Sequence, residues 1–411
     1  MNASILKIAV ALGWGLAAFA PAASAAGDRE RVFAEIADAV AGHYCDAPFI
    51  RDEFPALRRK YEPEAAAAAD QAQFAEAVNA MLAELGSSHT HYYTPDDAAY
   101  YQLISIFRDH PAIRSAFNGV PPLRYPSLGL ETETRAGRTF AAAVFAGGPA
   151  AAAGVLRGDE LLTLDGEPFA PVSSLRGRVD RTARLAVRRR ADAPPIVLEV
   201  VPRLVDPKEE ALAAERASEQ TLAAGDLRVG YVHVLSYAGE EFQEELKRAL
   251  FDGPLAQADA LILDVRDGWG GADPEYLNLF NRQVPVLSTI ERDGEIRTYD
   301  PQWRKPVVLL VNGRVRSGKE ILAYGFKKHG IGAVIGERTA GAVRAGAPFV
   351  FSDGTLLYLA VGDVRVDGEK LEGNGVEPDV VVPMPLEYGE GRDPQRAAAL
   401  AHLQALRRED Q

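Results

Sequence analysis

Two runs in the second half of the chain, Ala260-Leu261-Ile262-Leu263-Asp264-Val265 and Val307-Val308-Leu309-Leu310-Val311, are apolar at nearly every position. A strand with one wet face alternates apolar and polar residues, whereas a strand apolar throughout is covered on both faces, as in a parallel sheet between helices. Helical periodicity appears at 240–250 and 319–328, and further strand-like runs at 229–234, 333–336 and 356–364. Strands that alternate with helices imply βαβ units. Residues 205–390 are therefore expected to form an α/β core, entered through an Ala- and Glu-rich linker or connecting helix at 205–226.

The flanking segments have other textures. Across 28–118, Val32, Phe33, Ile36, Ala37 and Val40, and later Phe74, Val78, Met81, Leu82 and Leu85, recur at helical spacing up to Gly86. A polar turn follows, Ser87-Ser88-His89-Thr90-His91. Residues 119–204 change to short β-like runs broken by glycine turns, and 391–411 reads as a polar terminal helix. At the start, Lys7, an apolar run over 8–20 and Ala23-Ser24-Ala25 form a secretory signal over 1–25, which implies export to the periplasm or beyond. The only cysteine is Cys45, so no intrachain disulfide is expected and no lipid-anchored thiol stands near the mature start. The formal charge of -13 argues against nucleic acid or an anionic membrane as a partner. His43, His110, His329, His402 and Cys45 show no ligand spacing, so neither metal nor other cofactor is expected.

Ser317 directly follows the 307–311 strand and a short turn, at the amino end of a helix. There, unpaired N–H groups and the helix dipole favour a developing oxyanion. The same residues admit a purely structural role, because Ser317-x-x-Glu320 before an apolar run is also a capping box. A second strand, 260–265, ends in Arg266-Asp267-Gly268-Trp269-Gly270-Gly271, a turn that can bring backbone N–H groups close to a carbonyl oxygen.

In this order the motifs resemble the tail-specific, or C-terminal processing, serine protease family, over almost the whole mature chain. Asp264 to Gly271 and Ser317 to Ile321 match its two core motifs. The resemblance implies an N-terminal helical segment, an inserted β-rich domain similar to PDZ domains, and an α/β core like those of crotonase and Clp protease. The string from Gly147 to Gly166 carries the PDZ likeness. Its loop Ser127-Leu128-Gly129-Leu130 is the expected receiver of a peptide's terminal carboxylate. One departure matters: Thr339-Ala340-Gly341-Ala342 stands where members with a Ser–Lys dyad carry their lysine. Lys319 is no substitute, since two residues along a helix it points to another face, and its removal is expected to have little effect.

A second branch of the family, similar to the tricorn protease core, uses serine, histidine and glutamate. Gly86-Ser87-Ser88-His89-Thr90 matches its histidine context, and Leu371-Glu372-Gly373 ahead of Gly375-Val376-Glu377-Pro378-Asp379 its glutamate. The resemblance thus implies Ser317 as nucleophile, His89 as base and Glu372 as its orienting carboxylate, with Ser88 assisting. His91 is the second choice for the base, and Glu377 or Asp379 could replace Glu372. Gly270, Gly271 and Gly318 are the expected oxyanion donors. The expected activity is peptide-bond hydrolysis in extended polypeptides; the competing reading is a catalytically inactive, PDZ-type peptide-binding protein with a relic core.

Overall fold

A computed structural model describes residues 22–121, 123–281 and 284–409. Most of the expected signal segment lies outside them, and the first helix, Ala22–His43, begins within its last positions. Among the described residues no helix is long and apolar enough to cross a membrane.

The central sheet has six strands in the order Gln220–Ala224, Leu227–His233, Ala260–Asp264, Val307–Val311, Val334–Gly336 and Val380–Val381. The first pair is antiparallel and the rest are parallel. Leu261, Ile262, Leu263, Val308, Leu309 and Leu310 are fully buried, alternating between two cores. Each such side chain contributes roughly 1.5–3 kcal/mol of burial. One face carries the helices Pro207–Ser218, Glu240–Phe251 and Gly318–Lys328. The other is covered by the terminal helix Pro394–Glu409, which is less purely polar than its sequence suggests, since Ala399 and Leu403 pack on the sheet.

The strand 356–364 expected from the sequence is Leu356–Gly362, and it lies outside the parallel sheet. It sits between His91–Tyr93 and Ala345–Val350 in a separate three-stranded antiparallel sheet. That sheet packs against the helices Ala22–His43, Phe54–Ala67 and Gln71–Ala83 through Tyr92, Leu357 and Leu359. It therefore carries the turn around His89 to the edge of the core where Ser317 stands.

Between the two regions lies a β-rich unit of five strands in the order Leu130–Arg135, Arg138–Val144, Glu160–Leu164, Ala183–Arg188 and Ile196–Val200, with Glu167–Pro168 as a side hairpin. Its entry and exit strands, Tyr125–Ser127 and Arg203–Val205, pair antiparallel, so the unit leaves and rejoins the chain at one place.

Candidate functional site

In parallel sheets the loops beyond the carboxyl ends of the strands form the crevice where ligands bind. Here the turns after 227–233, 260–264, 307–311 and 334–336 meet at that edge. Ser317 stands among them with φ +56, a left-handed conformation uncommon for a residue with a side chain. Its N–H donates to Ala342 O at 2.7 Å, and its hydroxyl makes no capping bond. Glu320 does not complete a capping box either. Its carboxylate accepts from Thr339 Oγ1 at 2.6 Å and from the N–H groups of Gly341 and Ala342, both at 2.7 Å. The buried Glu320 thus shapes the segment that holds the Ser317 backbone, and the Ser317 hydroxyl is left uncommitted.

Gly270 and Gly271 run directly against this serine. A Cβ on Gly270 would stand 2.5 Å from Ser317 Cβ, and Gly271 has φ +92. The N–H groups of Gly270, Gly271 and Gly318 have no acceptor among the described residues. The turn itself is fastened from two sides. Trp269 Nε1 donates to Gln102 Oε1 at 2.8 Å, and Arg314 binds Asp267 together with Glu131 and Glu133 of the β-rich unit.

His89 also has a positive φ, +55, and its ring lies 5.3 Å from that of Tyr358. Its Nδ1 is 2.9 Å from Ser88 Oγ, which donates to Glu372 Oε2 at 2.9 Å. Glu372 Oε1 accepts the Ser88 N–H at 3.0 Å, and Oε2 the N–H groups of Val343 and Arg344 at 2.8 and 3.2 Å. Burial works to raise the Glu372 pKa, but these donors bring it below the ordinary carboxylate value. His89 is lowered to about 4, first by burial and then by the charge of Arg316, with Glu372 opposing. The imidazole is therefore neutral at pH 7.

The alternatives separate cleanly. His91 is exposed in its strand, with its ring tilted against that of Tyr93 at 4.6 Å. Glu377 pairs with Arg338, and Asp379 with Lys327 and the Val334 N–H. Of the three carboxylates, Glu372 alone reaches Ser88. Lys319 is fully buried and donates to Leu235 O and Asp267 O, both at 2.8 Å.

His89 and Ser317 line one cavity of about 480 Å³ with Leu103, Ile106, Trp269 and Tyr358. No direct hydrogen bond joins them, and catalytic bonds of this kind commonly tighten only in the Michaelis complex. Sequence reasoning passed over Tyr358, Arg316 and Trp269, which form part of the cavity wall. In the expected carboxylate loop, Ser127 to Leu130, the first three residues are buried and Leu130 is half-buried. Ser127 Oγ donates to Glu210 Oε1 at 2.7 Å, and the Gly129 N–H is taken by Ser127 Oγ at 2.9 Å.

A strained serine at a helix start, with an imidazole opening on the same cavity, is the kind of site serine-type hydrolases use. Residues 228–382 match the model of Peptidase family S41, and the core of this chain is similar to that family of serine peptidases. A carboxyl-terminal-processing protease of Picosynechococcus sp. is 25% identical over 388 residues, covering 87% of this chain and 85% of that protein. A tricorn protease homolog of Streptomyces coelicolor is also 25% identical over 395 residues, covering 90% of this chain but only 32% of its own length. Among solved structures, the photosystem II D1 C-terminal processing protease aligns at TM-score 0.51 with 22% identity, over 88% of this chain and 96% of that one. The tricorn protease aligns at 0.55 with 19% identity, over 93% and 37%. At these identities the structural matches speak for the mixed α/β fold.

Proposed function

We propose that this chain is an exported serine endopeptidase that hydrolyses extended polypeptides through an acyl-enzyme on Ser317. The observation that carries the reading is the relay Glu372–Ser88–His89 opening on the cavity that holds an uncommitted Ser317. Ser317 Oγ attacks the scissile carbonyl carbon while its proton passes to His89 Nε2. The carbonyl oxygen, now an anion, takes the free N–H groups of Gly270, Gly271 and Gly318. His89 then gives the proton to the leaving amine, the C–N bond breaks, and an acyl ester remains. Water, deprotonated by His89, attacks the ester and restores the serine.

The domain plan that fits this reading is a signal over 1–25, a helical segment over 28–118 bringing the base, a PDZ-like unit over 119–204, a crotonase- and Clp-like core over 205–390, and a closing helix over 391–411. The β-rich sheet with its paired entry and exit strands supports the PDZ likeness. Capture of a terminal carboxylate by Ser127, Leu128, Gly129 and Leu130 requires the helix bearing Glu210 to move off the loop. The deciding experiment for catalysis is labelling with a fluorophosphonate probe and mapping of the modified residue. Modification of Ser317 is expected; a protein that stays unlabelled while binding peptides would instead be the inactive, peptide-binding protein that Ala342 in place of a dyad lysine suggests.

A further inference from the structure

Arg316 precedes the nucleophile and lines its cavity. The guanidinium is fixed on two sides: Nε donates to Gly268 O at 3.1 Å, and Cζ stands 4.4 Å from the centre of the Trp269 ring. Both terminal nitrogens have no acceptor among the described residues, and no carboxylate forms an ion pair with the side chain. Glu131, an acid within its electrostatic reach, is bound to Arg314. Of the other cations on the cavity wall, Lys208 is paired with Glu241 and Arg344 faces Glu372 and Cys45, while Arg108, also without an ion pair among the described residues, has no hydrogen bond or ring contact to fix its head group as Arg316 has. A half-buried cation without a counterion is costly unless something supplies the missing charge. A guanidinium held flat against an indole is preorganised to take a carboxylate through two parallel N–H bonds.

We propose that Arg316 is the specificity residue of this site and recognises a substrate carboxylate within one or two residues of the scissile bond. The carboxylate is an acidic side chain or the free terminus of a short leaving segment. This rests on the peptidase reading, and its test does not need turnover. The Ser317→Ala protein is titrated, by fluorescence anisotropy, with unstructured octapeptides carrying Glu, Gln or Lys at each position in turn, each as free acid and as C-terminal amide. Exchange of one carboxylate for its amide is expected to weaken binding about tenfold, the effect of losing a charge-assisted pair. Dependence on an internal position identifies the side chain, and dependence on the terminus the free carboxylate. Arg316→Gln in the same background should bring the acid-to-amide ratio close to one, and Arg316→Glu should turn the preference toward Lys. A merely structural arginine would weaken all peptides alike. Equal affinity for acid and amide, no binding of any acidic peptide, or a ratio that survives Arg316→Gln overturns the proposal. Failure of the peptidase reading shows itself separately, as absent fluorophosphonate labelling with the binding ratio intact.

Discussion

The Ser88 hydroxyl donates to Glu372 Oε2 at 2.9 Å, and that bond decides the tautomer of His89. A carboxylate only accepts, so the serine proton is spent on Glu372 and Ser88 Oγ must accept from His89 Nδ1, 2.9 Å away. Nε2 then carries the lone pair and can take a proton from Ser317. Ser88→Ala should therefore lower kcat by ~10- to 100-fold with little change in KM, and Glu372→Gln by a similar factor, since each loosens the tautomer without removing the base. His89→Ala and Ser317→Ala should cost ~1,000-fold or more. Steady-state kinetics on unfolded casein measures all four, and wild-type kcat in Ser88→Ala would remove the relay.

An ordinary imidazole would put the acid limb of activity at pH ~6.5. Burial and Arg316 lower His89 to about 4. The neutral form is the base, so activity is lost as pH falls through the folded pKa, and kcat/KM should stay level from pH 7 down to roughly 5 before declining toward 4. Arg316→Gln removes one of the two lowering influences and should move the limb upward. A limb at pH 6.5 that ignores Arg316→Gln would contradict the arrangement.

What the sequence made legible follows from how local its causes are. The strand Val307–Val311 and the helix after it are written in a continuous apolar run and a 3.6-residue period, and they occur where that pattern places them. Leu356–Gly362 was equally visible as a strand, but its partners lie far away in sequence, at His91–Tyr93 and in Ala345–Val350, so its sheet could not be read. The same holds for side chains. Ser317-x-x-Glu320 has the spacing of a capping box, yet Glu320 turns to Gly341 and Ala342, a destination set by tertiary packing. Nothing in the residues next to Arg316 announces Trp269 beneath it.

Lys319 needs a different expectation from the mild one its position on the helix suggested. Its side chain is fully buried and holds Leu235 O and Asp267 O, at the ends of two strands that shape the site. Lys319→Met should keep the stem packing but leave Asp267 O unpaired, while Leu235 O retains the Trp269 N–H at 2.9 Å, costing about 1–3 kcal/mol in urea unfolding. Burial lowers the Lys319 pKa to about 7, against the opposing pull of Glu131, Asp267 and Asp264. Between pH 7 and ~10.5 the unfolded chain binds more protons at this site, so its contribution makes the protein more stable as pH rises through that window. Lys319→Met should flatten that rise, and an unchanged slope would place the titration elsewhere.

Gly270 offers the sharpest test of how the turn meets the nucleophile. Its φ is not in the left-handed region, so the constraint is space alone. A Cβ there would stand 2.5 Å from Ser317 Cβ, 2.8 Å from Arg316 O and 3.0 Å from the Gly318 nitrogen. Two of those three atoms are backbone, and they cannot swing aside as a long side chain would. Gly270→Ala must therefore push the 266–271 turn away from the helix start, at an overpacking cost of about 1–3 kcal/mol. The same shift carries the free N–H groups of Gly270 and Gly271 off the position of the oxyanion, and loss of one such donor costs ~100- to 1,000-fold in kcat. The two effects separate experimentally: the urea midpoint should fall modestly while fluorophosphonate labelling of Ser317 slows by far more. Labelling at the wild-type rate in a folded Gly270→Ala protein would mean that this turn does not supply the oxyanion donors.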